Sequence, residues 1–194
     1  MSDVATAEKT TTLPRTPPQI LGPFYPFMQT PTDSGDLTNG GAAQGTILYL
    51  SGRVLAANGQ PAVGAKVEIW QANAAGRYSH PNDDNLAAPI DEKFNGFAVT
   101  TTDGQGRYSF KTVRPAAYPA SPGRWRPAHI HFSVTAKYEQ LVTQMYFAGD
   151  KWNETDSWLN SASRKDLLIT EPTPAVGKEP GAQAVIFDIV LTRG

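Results

Sequence analysis

Residues 126–136 read RPAHIHFSVTA, and their alternation decides the fold class. In an extended chain successive side chains point to opposite faces. Ala128, Ile130, Phe132 and Val134 therefore share one face, and His129, His131, Ser133 and Thr135 share the other. An apolar row backed by a polar row marks a strand with one side on a core. The same period continues outward in 46–55 (TILYLSGRVL), 65–72 (AKVEIWQA), 96–101 (GFAVTT), 106–113 (GRYSFKTV), 141–148 (LVTQMYFA) and 184–192 (AVIFDIVLT). All are rich in β-branched and aromatic residues, which favour pleated, half-buried surfaces. Only 157–169, SWLNSASRKDLLI, suits a short helix.

Asn58-Gly59 and Asp103-Gly104 each separate two of these strands, and such dipeptides supply the positive φ of tight hairpins. Antiparallel pairing of 46–55 with 65–72, and of 96–101 with 106–113, is expected. Two long irregular stretches interrupt the pattern: 72–95 (ANAAGRYSHPNDDNLAAPIDEKFN) and 114–127 (RPAAYPASPGRWRP). Insertions of ~15 residues or more in a compact domain usually carry function. The fold class is thus all-β, an antiparallel β-sandwich with long active-site loops and little helix. Residues 20–194 are expected to form a single domain, and residues 1–19, with several prolines and little to bury, a flexible lead-in.

The 17 basic and 18 acidic residues leave a net charge of -1 with no block of like charge. Nothing in that balance attracts nucleic acid or an anionic membrane surface. The absence of cysteine removes disulfides and thiolate chemistry, so a metal must take nitrogen or oxygen ligands. The N-terminus MSDVATAEKTTTLPRTPP lacks the apolar core of a signal peptide, and no run approaches ~18 apolar residues. A soluble, cytoplasmic protein is expected.

Two of only three histidines stand at 129 and 131. Imidazoles at that spacing face the same way and can converge on one metal at ~2.0 to 2.1 Å per bond, although two exposed surface histidines would give the same pattern. Both irregular stretches carry tyrosines, Tyr78 in the first and Tyr118 in the second, the latter leading straight into the pair. A trivalent cation can displace a phenolic proton, and two phenolates with two imidazoles suit ferric iron better than zinc. Loop tyrosines that merely cap a core edge are the plainer reading of the same residues. His80, beside Tyr78, keeps a three-histidine zinc site open. Arg126, held extended by Pro127, could stabilise a developing enolate or pair with a carboxylate; Gln144 interrupts an apolar strand and needs partners.

Taken together, GPFYP, WQANAAGRYSH, the AYP of the second stretch, WRPAHIHF and LVTQMYFAGD resemble the intradiol ring-cleavage dioxygenases, nearest in pattern to their protocatechuate 3,4-dioxygenase branch. The likeness runs from about Leu21 to Asp150 and continues less distinctly to the last strand. It implies a non-haem Fe(III) cofactor bound by Tyr78, Tyr118, His129 and His131, with Tyr118 and His131 axial. His80 then falls outside the ligand set. Arg126 and Gln144 match positions that orient and stabilise the substrate. The implied partners are a small-molecule catechol and O2. Tyr118 would leave the metal to accept a proton, and the ring would open between its hydroxyl-bearing carbons to a cis,cis-muconate. No nicotinamide or flavin is implied. The segment TPPQILGPFYP resembles the iron-free chain of the two-chain enzymes, so one polypeptide doing both jobs, in a homo-oligomer, is expected. Ala120 stands where the protocatechuate enzymes tend to carry a tryptophan, which makes Phe24, Tyr25 and Ala120 the positions expected to tune the substrate.

Two rivals stay in view. SGRVLAANGQPAVGAKVEIW with TTDGQGRYSF also resembles transthyretin-like and carboxypeptidase-associated β-domains, which are commonly non-catalytic binding modules. A zinc hydrolase could use the three histidines, but no acidic residue lies beside the pair in the usual spacing of a general base.

Overall fold

The computed structural model describes residues 12–194. Its strands run β1 (Ile47–Ala56), β2 (Lys66–Trp70), β3 (Phe97–Thr101), β4 (Arg107–Val113), β5 (Tyr118–Ser121) and β6 (Arg124–Arg126). Then come β7 (His129–Thr135), β8 (Gln140–Phe147), β9 (Ile169–Thr170), β10 (Thr173–Pro174), β11 (Gln183–Ile186) and β12 (Ile189–Leu191). The five-residue helix α1 (Ser157–Ser161) and a 3-10 turn (Lys165–Leu168) lie within the span expected for a helix. Among the described residues no helix is long and apolar enough to cross a membrane.

These strands form an all-β sandwich. One sheet runs β10-β11-β1-β12 with β4 on the other edge of β1, the second runs β3-β2-β7-β8-β9, and β5-β6 is a separate hairpin. Alternation decides what each strand gives the core. Leu48, Leu50 and Val54 of β1 and Phe110 of β4 face Val67, Ile69, Ile130, Phe132, Val134 and Met145 of the second sheet, all in one cluster. Each such side chain contributes about 1.5–3 kcal/mol through burial.

The pairing departs from the sequence reading in three ways. Neither glycine dipeptide joins its flanking strands in a hairpin: β1 pairs with β4 (Ile47↔Val113 to Arg53↔Arg107) and β2 with β3 and β7. The turn at 57–60 does close, with Gly59 N–H on Ala56 O, but its return strand amounts to one bridge, Leu55↔Pro61. Proline has no N–H to continue a ladder, and from Ala62 the chain crosses to the other sheet. After β3, Gly106 rather than Gly104 takes positive φ, and the Asp103 carboxylate caps the N–H groups of Gln105 and Arg107. That turn also changes sheets.

Second, the sandwich is mixed: β1 pairs in parallel with β11 and β12, and β8 with β9. The strand expected at 184–192 divides at Phe187-Asp188, where Tyr108 Oη donates to Phe187 O and Asp188 accepts from Arg53 N–H.

Third, 114–127 is not structureless. Pro122-Gly123, with Gly123 at φ 75°, turns β5 into β6 and sets Tyr118 opposite Arg126. Of the lead-in expected at 1–19, residues 1–11 lie outside the described residues. Residues 13–19 are tied down: Leu13 N–H donates to Ala57 O, Thr16 N–H donates to Val190 O while Thr16 Oγ1 accepts from Val190 N–H, and Gln19 N–H donates to Val142 O. Docking there satisfies strand-edge groups that would otherwise lack partners.

Candidate metal centre and active site

The polar face of β7 is as buried as its apolar face: His129 is 2% and His131 1% exposed. Trp70, the β2 partner of His131, stacks on its ring at 4.8 Å and 12°. His129 Nδ1 lies 2.7 Å from Pro127 O, and since a carbonyl only accepts, that nitrogen carries the proton. The Nε2 lone pair of His129 is thereby left facing His131 Nε2 at 3.2 Å. Burial first, then the positive charge of Arg126, hold both imidazoles well below the usual histidine range. They are neutral, with their two Nε2 atoms side by side.

The phenols come from the two irregular stretches. Asn73 organises the first: its Oδ1 accepts from Ala75 and Arg77 N–H, and its own carbonyl accepts from Ala116 N–H of the second stretch. Gly76 sits at φ 80°, and a Cβ there would lie 2.7 Å from Ala117 O. Only glycine lets the backbones pass this closely. Asp83 then fixes Tyr78 by accepting its N–H at 2.6 Å. Tyr78 and Tyr118 meet with ring centroids 5.4 Å apart, Tyr118 lies 5.6 Å from His129, and Tyr78 6.3 Å from His131.

Burial, chiefly, raises both phenols above the usual tyrosine range, with Arg126 opposing the rise. Tyr78 Oη has no partner in hydrogen-bonding geometry, and neither has His131 Nδ1. Two neutral imidazoles and two buried phenols thus converge, with Tyr78 Oη and His131 Nδ1 left unpaired. A polyvalent cation would ionise the phenols and use the lone pairs together, so the donor set fits a hard metal ion.

Arg126, 3% exposed, lies across from Tyr118 in the β5-β6 ladder. Its Nε donates to Asp156 at 2.6 Å, its Nη2 donates to Gln144 Oε1 at 2.7 Å and to Tyr146 Oη at 3.1 Å, and its plane covers Trp158 at 4.5 Å. Asp156 also caps α1 through Leu159 N–H. Gln144 Nε2 donates to Ile20 O, which joins the N-terminal segment to the network. Tyr118, Tyr146 and Asp156 outweigh burial and keep the guanidinium firmly charged.

That N-terminal segment covers the centre. Gly22, at φ 76°, would place a Cβ 3.1 Å from His131 Cε1, and the Phe24 ring lies 4.6 Å from Tyr78 and 6.3 Å from Tyr118. Tyr25 turns aside, packing on Trp70 and donating to Glu68. Ala120 lies on the exposed hairpin, two residues beyond Tyr118. His80 Nδ1 accepts from Asn82 N–H in a local turn, and among the described residues no three histidine or acidic side chains gather to hold a metal. A three-histidine site is therefore not assembled.

Sequence reasoning passed over Asp83, Tyr146, Asp156 and Trp158. Tyr146 was accessible to it, being two residues from Gln144 and so on the same face of β8. Asp156 carried the signature of an N-cap before a short helix, which says nothing of its partner Arg126.

A family model described as dioxygenase matches residues 20–193. The protocatechuate 3,4-dioxygenase beta chain of Burkholderia cepacia is 43% identical over 157 residues, 78% of this chain and 66% of that one. Catechol 1,2-dioxygenase of Acinetobacter baylyi is 34% identical over 92% of this chain and 62% of its own. The chain thus spans slightly less than two thirds of these relatives. Among solved structures, catechol 1,2-dioxygenase from Acinetobacter sp. ADP1, inhibited by bound mercury, matches with a TM-score of 0.72 and 31% identity over 91% of this chain and 62% of that one. The dioxygenase domain of a carbohydrate-binding fusion from Streptomyces sp. SirexAA-E matches with a TM-score of 0.71 and 25% identity over 93% of this chain and all of that one. With the family model matched from residue 20 to residue 193 and relatives above 30% identity over most of its length, the chain belongs to the intradiol ring-cleavage dioxygenase family.

Proposed function

We propose that the protein is a non-haem Fe(III) dioxygenase that opens a catechol between its hydroxyl-bearing carbons, with Tyr78, Tyr118, His129 and His131 as the iron ligands. The observation that carries this reading is the pair of neutral Nε2 atoms 3.2 Å apart beneath two buried phenols, one of which has no hydrogen-bond partner. The relatives' names supply the reaction class: protocatechuate, catechol and 6-chlorohydroxyquinol dioxygenases.

Bound iron would supply a Lewis acid that draws electron density from the coordinated diol and lets the ring react with O2. The chain's own residues do the rest. Tyr118 Oη would take one of the diol protons, its basicity raised by burial and held in check by Arg126 across the ladder. Arg126 and Gln144 present fixed N–H donors where the substrate oxygen gains negative charge, and their buried bonds to Asp156 and Ile20 spare reorganisation during reaction. Phe24 and the Gly22 backbone exclude water from that side.

The test is spectroscopic and chemical. Iron-loaded protein is expected to be red from phenolate-to-iron charge transfer, to consume O2 with catechol, and to release a ring-opened dicarboxylic acid. A colourless protein carrying zinc, or a semialdehyde product from cleavage beside the diol, overturns the reading.

A further inference from the structure

Four side chains hold the Arg126 guanidinium, and they come from two elements. The cap and first turn of α1 supply Asp156, which accepts from Nε at 2.6 Å, and Trp158, whose ring lies 4.5 Å from the guanidinium carbon. β8 supplies Gln144 and Tyr146, two residues apart and so on one face of the strand. Gln144 Oε1 and Tyr146 Oη accept from Nη2 at 2.7 and 3.1 Å.

Gln19 bonds both elements with one amide. Its Oε1 accepts from Tyr146 Oη at 3.1 Å, and its Nε2 donates to Trp158 O at 3.2 Å. The partners settle which way this amide points: Nε2 also faces Pro18 O at 3.2 Å, and carbonyls only accept. Oε1 is therefore the atom turned to Tyr146, and the phenol donates. Gln144 is fixed in the same manner, with Oε1 on the guanidinium and Nε2 on Ile20 O. The Tyr146 oxygen is thus held from three sides, by Arg126, by Gln144 Oε1 at 2.8 Å and by Gln19. Only Gln19 among these comes from the N-terminal segment. Its own N–H donates to Val142 O, and Thr143 Oγ1 donates to Pro17 O, so the segment is pinned along β8 just before it passes over the metal centre at Gly22 and Phe24.

Resting on the ring-cleavage reading above, we propose that Gln19 is a positioning residue for the reaction. It aims Arg126 at the substrate oxygen by holding Tyr146 with one end of its amide and Trp158 with the other. A donor fixed before charge develops stabilises that charge without reorganising. Arg126 is aligned only while the covering segment lies on β8, so one docking event both excludes water and sets the group that stabilises charge. Gln19 acts through its two neighbours and not on the reacting atoms.

Gln19→Met tests this, since it keeps the length of the side chain and removes both bonds, while the backbone bonds of Leu13, Thr16 and Gln19 still hold the segment. In the iron-loaded full chain, kcat for catechol should fall about tenfold with KM within about twofold, because misaiming a stabilising group costs the transition state more than it costs binding. The charge-transfer band and the rate of iron release to a chelator should match the wild type. In a Tyr146→Phe background the same change should lower kcat less than about threefold, because one of its two bonds is already gone. The metal-free chain supplies a readout independent of activity: the urea midpoint shift of the double variant should be smaller than the sum of the two single shifts. Equal losses of kcat in both backgrounds, or additive midpoint shifts, overturn the proposal and leave the proposed activity standing. Iron released faster in step with the fall in kcat also overturns it, by showing that Gln19 only holds the cover. Non-additive midpoints in a chain that opens no catechol remove the ring-cleavage reading and leave the clamp on Arg126 standing.

Discussion

Phe132 and His131 are neighbours on β7, 0% and 1% exposed, and they face opposite ways. Phe132 enters the sandwich core beside Ile130, Val134 and Met145. His131 enters a smaller cluster with Trp70, Tyr78 and Tyr118, covered by Gly22 and Phe24. Burial does not separate these regions; satisfaction does. Of the six buried side-chain polar atoms without a partner among the described residues, three belong to Trp70, Tyr78 and His131. A buried polar atom left unpaired costs about 1–3 kcal/mol. One face of the strand packs an apolar core, and the other buries polar groups that lack partners.

The sharpest way to break the contrast is to truncate the core side. Phe132→Ala should lower unfolding free energy by about 3–5 kcal/mol, since it empties a closely packed interior. Urea denaturation measures this, and iron uptake per folded molecule should stay near that of the wild type. A cost below 1 kcal/mol would mean that the two faces are not mechanically distinct.

Asp156→Asn sharpens the contrast from the opposite direction. Asparagine still caps α1 through Leu159 N–H, so helix capping is conserved. The charge opposite Arg126 is lost, and a buried cation deprived of its partner costs about 3 kcal/mol. The same change frees the guanidinium to rotate away from Gln144, so kcat should fall more than KM changes. Equal stability of variant and wild type in chemical denaturation would show that Asp156 does not hold Arg126.

How much of this was legible in the sequence follows from range. The strands were readable because alternation is local: β7, β8 and β1 lie within a residue or two of their expected bounds. Tyr78, Tyr118, His129 and His131 were readable as candidate donors, and the structure brings the four side chains together. Pairing was not readable. Asn58-Gly59 specifies a turn, and nothing beside it specifies that Pro61 halts the return strand or that β4 takes the edge of β1. Residues 13–19 looked free because their partners, Ala57, Val142 and Val190, are remote in sequence. Asp156 was hidden for the same reason, thirty residues from Arg126.

Gly22→Ala tests the cover over the site. Alanine at φ 76° costs about 1–2 kcal/mol by backbone strain, and its methyl would press on His131 Cε1. Thermal stability should fall modestly, while iron should exchange to a chelator several-fold faster because the imidazole is displaced. If exchange is unchanged while stability falls, Gly22 serves only the backbone.

Tyr78→Phe has the smallest effect on stability and the opposite sign. The hydroxyl is buried without a partner, and burial holds it protonated, so in the metal-free protein it contributes cost and no bond. Phenylalanine fills the same space without that oxygen, and Phe24 and Tyr118 remain to pack on its ring. The metal-free variant should therefore be more stable than the wild type by about 1 kcal/mol, read from denaturant midpoints at equal slopes. With iron the order should reverse, because only the wild type offers that phenolate, and the visible charge-transfer band should bleach or the metal be lost. A change that stabilises the empty protein and disables the loaded one is what a site kept unsatisfied for its ligand requires. A variant less stable than the wild type without metal would show that Tyr78 Oη has a partner and belongs with Phe132, on the structural side of the comparison.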